Sequence, residues 1–335
     1  MNINCKPHPN PSPEKQGRGF KVGSRKVPPL ISRGGVGVGF IYTVALLFLS
    51  SCSKDVYLFS SFHEPANEGL RLLYSYDGYK WTDLNRTFLK PEIGNQKVMR
   101  DPSIAQGNDG VFHLVWTSSW KDDKGFGYAS SKDLIHWSEE RFLPVMEHEP
   151  TTVNVWAPEL FYDNEANQFV IIWASTIPGR FERGIEDEKN NHRMYYTTTN
   201  DFKTFAPTKL FLDPKFSVID AVIVKRKSAD YVLVLKDNTR PERNIKVAFS
   251  NNATGPYTNV SAPFTKKFTE GPSVAKVGGD WLIYFDSYQD KKYGAVKTRD
   301  FKTFTDVSNQ TSVPDGHKHG TIFKVKKQIL TGLLK

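Results

Sequence analysis

Cysteine is almost missing from these 335 residues, with Cys5 and Cys52 the only two. Both fall in or just after the N-terminal leader, so the body of the chain has no disulfide framework and no thiolate zinc site. There is no His-Glu-x-x-His run, no phosphate-cradling Gly-x-x-x-x-Gly-Lys segment and no Gly-x-Gly-x-x-Gly fingerprint, which removes zinc-protease, P-loop and dinucleotide-binding readings. The glycines from Gly34 to Gly39 belong to the leader. Sustained helical periodicity is lacking throughout. Long apolar runs are lacking too: Val36 to Leu49 is uncharged, but it falls short of the roughly 20 residues that span a bilayer. The net charge of +9 does not mark a nucleic-acid partner either, because seven basic residues and one acid in residues 1–51 supply +6 of it.

That leader has its own logic. A basic, Pro-rich stretch ends at Arg33, the uncharged run follows, and the segment closes on Leu49-Ser50-Ser51-Cys52. A basic region, an apolar region and small residues before a cut form a secretory signal. The ending resembles a bacterial lipobox, which implies cleavage before Cys52, lipidation of its thiol and a place in the bacterial cell envelope, with the lipid as the only membrane attachment. Residues 1 to about 20 look unlike a signal and read as an over-extended start. The expected organisation is therefore a leader (1–51), a polar tether (52–55) and one domain (56–335), acting as a monomer.

The domain is punctuated by one short pattern: small polar residues ending a strand, a polar turn, then an aromatic. It reads Ser75-Tyr76-Asp77 to Trp81, Ser131-Lys132-Asp133 to Trp137, Thr199-Asn200-Asp201 to Phe205, Ser250-Asn251-Asn252 to Tyr257 and Thr298-Arg299-Asp300 to Phe304. The fourth copy lacks the Asp. Copies 47 to 68 residues apart, joined by short β-branched and aromatic runs, predict an all-β, five-bladed β-propeller. Val56–Ser60 is expected to pair with the last blade, and Pro178–Asn191 is the longest irregular loop.

Between the copies lie five segments expected to form the innermost strands: Met99–Ile104, Val155–Phe161, Val218–Ile223, Glu270–Val274 and His319–Phe323. Such strands are packed on both faces and should be apolar. Four carry a carboxylate near their start and the fifth a histidine, so Asp101, Glu159, Asp220, Glu270 and His319 are expected to point into one axial pocket. Carboxylates brought together push their proton affinities apart, as acid–base chemistry on a glycosidic bond requires. Arg100 precedes Asp101 and would favour its ionised form, although successive strand residues face opposite ways.

The segments Arg100-Asp101-Pro102, Trp156-Ala157-Pro158-Glu159, Ile219-Asp220-Ala221, Glu270-Gly271-Pro272-Ser273 and Lys318-His319-Gly320-Thr321 resemble, in order, the motifs of glycoside hydrolase family 43. The resemblance covers about residues 56–325. It implies an inverting, exo-acting hydrolase of polysaccharide-derived glycans, an α-L-arabinofuranosidase or β-xylosidase above all. Asp101 would be the general base, Glu270 the general acid and Asp220 the residue that tunes and orients that acid. Trp156, Glu159, Lys236, Arg240 and His319 would contact substrate, with Glu159 bracing the pocket. No cofactor is required, but His319 could help hold a hydrated structural calcium. The rival readings are a β-galactosidase specificity on the same fold, a retaining fructosidase-type enzyme, whose Asn-Asp-Pro-Asn segment is missing here, and a non-catalytic glycan-binding lipoprotein.

Overall fold

A computed structural model of the chain describes residues 55–335, so the leader and Cys52 lie outside the described residues. Five antiparallel sheets follow one another along the chain. Their innermost strands are Arg100–Gln106, Trp156–Asp163, Val218–Lys227, Glu270–Val277 and Ile322–Val325. All five expected segments thus occupy the axis of a five-bladed propeller. The second strand Phe112–Thr117 is buried along its whole length, and those of the next three blades are buried except at their first one or two residues, because a neighbouring blade covers each face.

The recurring sequence pattern is a hydrogen-bonded turn. The Ser75 hydroxyl accepts the Gly78 amide at 2.9 Å, and Asp77 Oδ1 accepts the amides of Tyr79 and Lys80 at 2.7 and 2.8 Å. Ser131 with Asp133, Thr199 with Asp201 and Thr298 with Asp300 repeat it. The residue after each Asp is left-handed, and Leu134, Phe202 and Phe301 in that position are buried. The turn therefore drives an apolar side chain inward at the end of the third strand. In the fourth blade only the Asn252 amide reaches Ser250. This is also the blade with three strands instead of four: after the copy without its Asp the chain returns beside the third strand by separate bonds, Thr258 to Phe249 and Ser261 to Val247, and not as a regular outer strand.

Ring closure brings Val56–Ser61 against the last inner strand, as expected: the two pair antiparallel, Val56 opposite Val325 and Phe59 opposite Ile322, so the closing blade takes its innermost strand from the end of the domain and its other three from the start. The seam is tight. A Cβ on Gly320 would stand 1.8 Å from the Ser60 carbonyl oxygen, so only glycine fits. A seven-residue helix, Lys327–Leu333, not foreseen from periodicity, ends the chain and buries Leu330 and Leu333 among residues of the first two blades.

Candidate active site

Each of the first four innermost strands begins with the same irregularity. Its pairing slips by one residue between Arg100 and Ser103, Trp156 and Glu159, Ile219 and Ala221, and Glu270 and Ser273. Inside each slip one residue is left-handed: Asp101, Ala157, Asp220 and Gly271, at φ of 49°, 46°, 47° and 57°. A bulge re-aims side chains that a regular strand would send to alternate faces. This corrects the alternation argument for Arg100 and Asp101, because both line the axial cavity, as do Ile219 and Asp220. The equivalent positions are Asp101, Ala157, Asp220 and Gly271; Glu270 stands one residue earlier, beside Gly271.

The cavity has a volume of about 440 Å³ and is lined by Asp101, Asp220, Glu270 and His319 together. Asp101 Oδ2 accepts the Thr117 hydroxyl at 3.0 Å, and His319 Nδ1 lies 3.2 Å from Oδ1. Burial would raise the Asp101 carboxyl, but the bond and charge of His319, with Arg100 and Thr117, outweigh it and hold Asp101 below its ordinary value. Burial would likewise lower His319, yet its bond to Asp101 and the charges of Asp220, Asp101 and Glu159 push it up to about 9. Asp220 goes the other way. Its burial, helped by the charges of Asp101 and Glu270, outweighs His319 and Lys236 and raises its carboxyl. One partner is fixed: the Gly271 amide donates to Asp220 Oδ2 at 3.1 Å. Gly271 is also where a Cβ would meet the His319 Cβ at 2.6 Å, so a single glycine lets both neighbours approach.

Glu270 accepts the Lys236 ammonium at 2.7 Å on Oε2. Burial would lower Lys236, but the charges of Glu270 and Asp220 raise it. Trp156 lines the cavity with its indole N–H donated to the Trp120 carbonyl at 2.9 Å, and the two rings meet edge to face at 5.8 Å. Trp120, half exposed at the mouth, carries the Arg100 guanidinium 3.7 Å from its ring centre.

Two expected binding residues lie elsewhere. Arg240 does not line the cavity: its side chain turns to Glu186 and Asp187, at 3.4 and 3.3 Å, in the irregular loop. Arg243 takes a place in the lining instead, and the same loop contributes Asn190. Glu159 lies two residues past its left-handed Ala157, so it is buried deeper along the axis and bonds to Thr321 at 2.9 Å. Burial pushes its carboxyl up to about 7. It lines a separate cavity with Leu160 and Ser273 and is not in the lining of the axial one, so it can brace the site but not touch a ligand there. The His319 imidazole faces Asp101 at 3.2 Å, and among the described residues His319, Asp101, Asp220 and Glu159 do not form a group close enough to share an ion as direct ligands.

Sequence reasoning overlooked Thr117, Asp286, Tyr288, Asn190, Asn238 and Arg243, all in the lining. A signal for two of them existed. Thr117, Lys236 and Asp286 each end the apolar run of a second strand, and each stands opposite the start of a bulge: Arg100, Ile219 and Glu270 respectively. Asp286 is buried, which raises its carboxyl, and it accepts the Lys318 ammonium at 2.7 Å.

A family model described as a probable glycosyl hydrolase domain, of the glycosyl hydrolase 43-related kind, matches residues 54–330. Among solved structures, a thermostable family-43 glycoside hydrolase is similar at a TM-score of 0.50 and 16% identity, over 68% of this chain and 82% of that one. An α-L-arabinofuranosidase from Clostridium thermocellum is similar at 0.51 and 16% identity, over 74% and 84%. A Hadza microbial sialidase reaches 0.51 at 15% identity, over 74% of this chain and 56% of its own. At these identities the likeness is one of fold, and the neighbours' activities differ. No curated protein sequence matches the chain.

Proposed function

The chain belongs to the glycosyl hydrolase 43-related family and is a glycoside hydrolase, and from that premise we propose that it acts by inversion, releasing one terminal sugar at a time, with α-L-arabinofuranosides or β-xylosides as substrates. The observation that carries this reading is that Asp101 and Glu270 line one cavity in unlike surroundings. Asp101 is held in its anionic form by His319 and Thr117, as a general base must be. It takes a proton from a water that attacks the anomeric carbon. The bond to the leaving oxygen breaks on the opposite face, and Glu270 delivers the proton that oxygen needs. Asp220, fixed by the Gly271 amide, stands as the third carboxyl that orients Glu270 and adjusts the charge around it. Every proton in the scheme comes from water or a side chain, so it calls on no cofactor.

The exo reading rests on the shape of the site. A cavity of this size at the axis, walled by Trp156 and Trp120 and by the loop that carries Asn190, suits one terminal sugar better than the interior of a polymer. We further propose that Cys52 is lipidated and tethers the enzyme to the cell envelope; palmitate labelling that persists in a Cys52→Ala variant would refute this.

The deciding experiment for the reaction is proton NMR of the first-formed sugar from nitrophenyl α-L-arabinofuranoside, β-xyloside and β-galactoside. Inversion yields the anomer opposite to that of the substrate, and a product of retained configuration would sink the assignment of Asp101 as base. Galactoside turnover exceeding that of both pentosides would move the specificity to the β-galactosidase reading. No turnover of any glycoside, with binding retained, would leave a glycan-binding protein.

A further inference from the structure

A second group of chemistry-bearing side chains lies at the seam of the ring, outside the carboxylate cavity. His63 follows the first strand and bridges the backbone of His317, which stands two residues before His319. Asp83 ends Thr82–Asp83, the outermost strand of the same blade. One ligand atom from each of the three lies within 4.8 Å of the others, and no other such group occurs among the described residues.

The details favour a ligand set over a chance cluster. The Ser61 hydroxyl lies within hydrogen-bond distance of His317 Nδ1, at 2.8 Å. With Ser61 engaging Nδ1, Nε2 is the nitrogen left to face the cluster, the outer-shell arrangement by which metal-binding histidines are oriented. His317 is 4% exposed, and its Nε2 and that of His63 are both buried without a hydrogen-bond partner. Asp83 Oδ1 is occupied by the Asn85 amide at 2.8 Å, while Oδ2 lies 3.3 Å from His317 Nε2. A tetrahedral metal with bonds of about 2.0–2.1 Å spaces its ligand atoms about 3.4 Å apart, so this pair already stands at the edge length such an ion needs. The nearby Arg71 cation is neutralised by Glu68 at 2.6 Å, and Glu68 also lies 4.0 Å from His63 Nδ1.

We propose that His63 Nε2, His317 Nε2 and Asp83 Oδ2 bind a divalent transition metal of the zinc class, with water as the fourth ligand, and that the ion clasps the closure of the propeller. Two imidazoles and one carboxylate suit zinc or cobalt and are a poor set for calcium or magnesium. Both histidines line a neighbouring cavity of about 650 Å³ from which the water would enter. The clasp joins the end of the first strand, the outermost strand of its blade and the segment leading into the closing strand. That segment carries Lys318 to Asp286 and His319 to Asp101, so the ion would steady two residues of the carboxylate cavity without touching it.

The test uses the full chain, stripped with a chelator and titrated with zinc, and with cobalt as a spectroscopic probe. The expected result is about one equivalent bound per chain, cobalt absorption bands of a low-coordinate nitrogen–oxygen site, and a melting temperature raised by about 5 °C in excess zinc. His317→Gln should lose all three. Because His317 is buried and its loss could unfold the seam, His63→Gln and Asp83→Asn serve as second variants; they should lose the metal while keeping the β-sheet circular dichroism of the parent. Equal metal uptake by the parent and these two variants would overturn the proposal, as would a parent chain with no rise in melting temperature.

Discussion

His319 Nδ1 lies 3.2 Å from Asp101 Oδ1, and each residue fixes the charge of the other. The pair joins the last segment of the chain to the start of the second blade, so it forms only when the ring is closed. Its pH dependence follows from the two shifts. Asp101, lowered from 3.8, contributes stability above that value that is lost as pH falls through its folded value. His319, raised from 6.5 to about 9, contributes stability fully present below 6.5 and lost as pH rises through about 9. The gap in melting temperature between the parent and His319→Gln should therefore be widest between about pH 4 and 6.5 and narrow towards pH 9. A gap that does not change with pH would show that the pair is not ionic. The same variant should lose roughly 10-fold or more in kcat, since Asp101, the proposed base, loses the partner that orients it.

In the proposed mechanism Glu270 is the acid, and Lys236 holds it at 2.7 Å. Replacing it with Gln keeps the shape of the side chain and removes a carboxyl that could deliver a proton. Hydrolysis of natural linkages should fall by roughly 10²–10⁴-fold, while binding measured by calorimetry stays within a few-fold. A nitrophenyl leaving group needs little protonation, so turnover of aryl glycosides should suffer much less. Equal losses on both substrate types would remove Glu270 from the role of acid.

The residues legible in the sequence were those where a local rule was broken. A carboxylate in an apolar inner strand is such a break, and it exposed Asp101, Asp220 and Glu270; all three line the cavity. The turn pattern gave the five blades because it is a local hydrogen-bonded unit whose partners are two and three residues apart. Residues whose role depends on register were harder to see. Thr117 and Asp286 face the cavity because their strands pair opposite a bulge, and bulges have no composition signature beyond a tolerant left-handed residue. Arg240 and Arg243 illustrate the limit: three residues apart in one loop, they take opposite sides, and only the acids of the 178–191 loop decide which arginine is drawn away.

That difference yields a paired prediction. Arg243 lines the cavity, and its buried Nε has no partner within the protein, so a bound sugar can use its guanidinium. Arg243→Ala should raise KM several-fold with a smaller change in kcat. Arg240→Ala should leave both within about two-fold, because an ion pair with a half-exposed partner contributes little. Steady-state kinetics on one aryl glycoside suffices, and a larger KM effect from Arg240 would return it to the site.

Glu159 offers a test of the buried axis that does not depend on activity. Its carboxyl is 6% exposed, and burial raises it from 4.5 to about 7 despite the hydroxyl bonds of Ser103 and Thr321 and the charge of His319. A carboxyl raised in this way costs the fold nothing while it is protonated in both states, below 4.5. The cost grows between 4.5 and about 7, where the unfolded chain has released the proton and the folded one retains it, and is complete above that. Glu159→Gln keeps an oxygen for Thr321 and carries no charge. The variant should match the parent near pH 4.5 and exceed it at pH 8 by at most about 3 kcal/mol. Urea midpoints at the two pH values measure the difference. A variant that gains nothing at pH 8 would mean that Glu159 is ionised in the fold at little cost, with a counter-charge on the axis that the arrangement of His319, Ser103 and Thr321 does not supply.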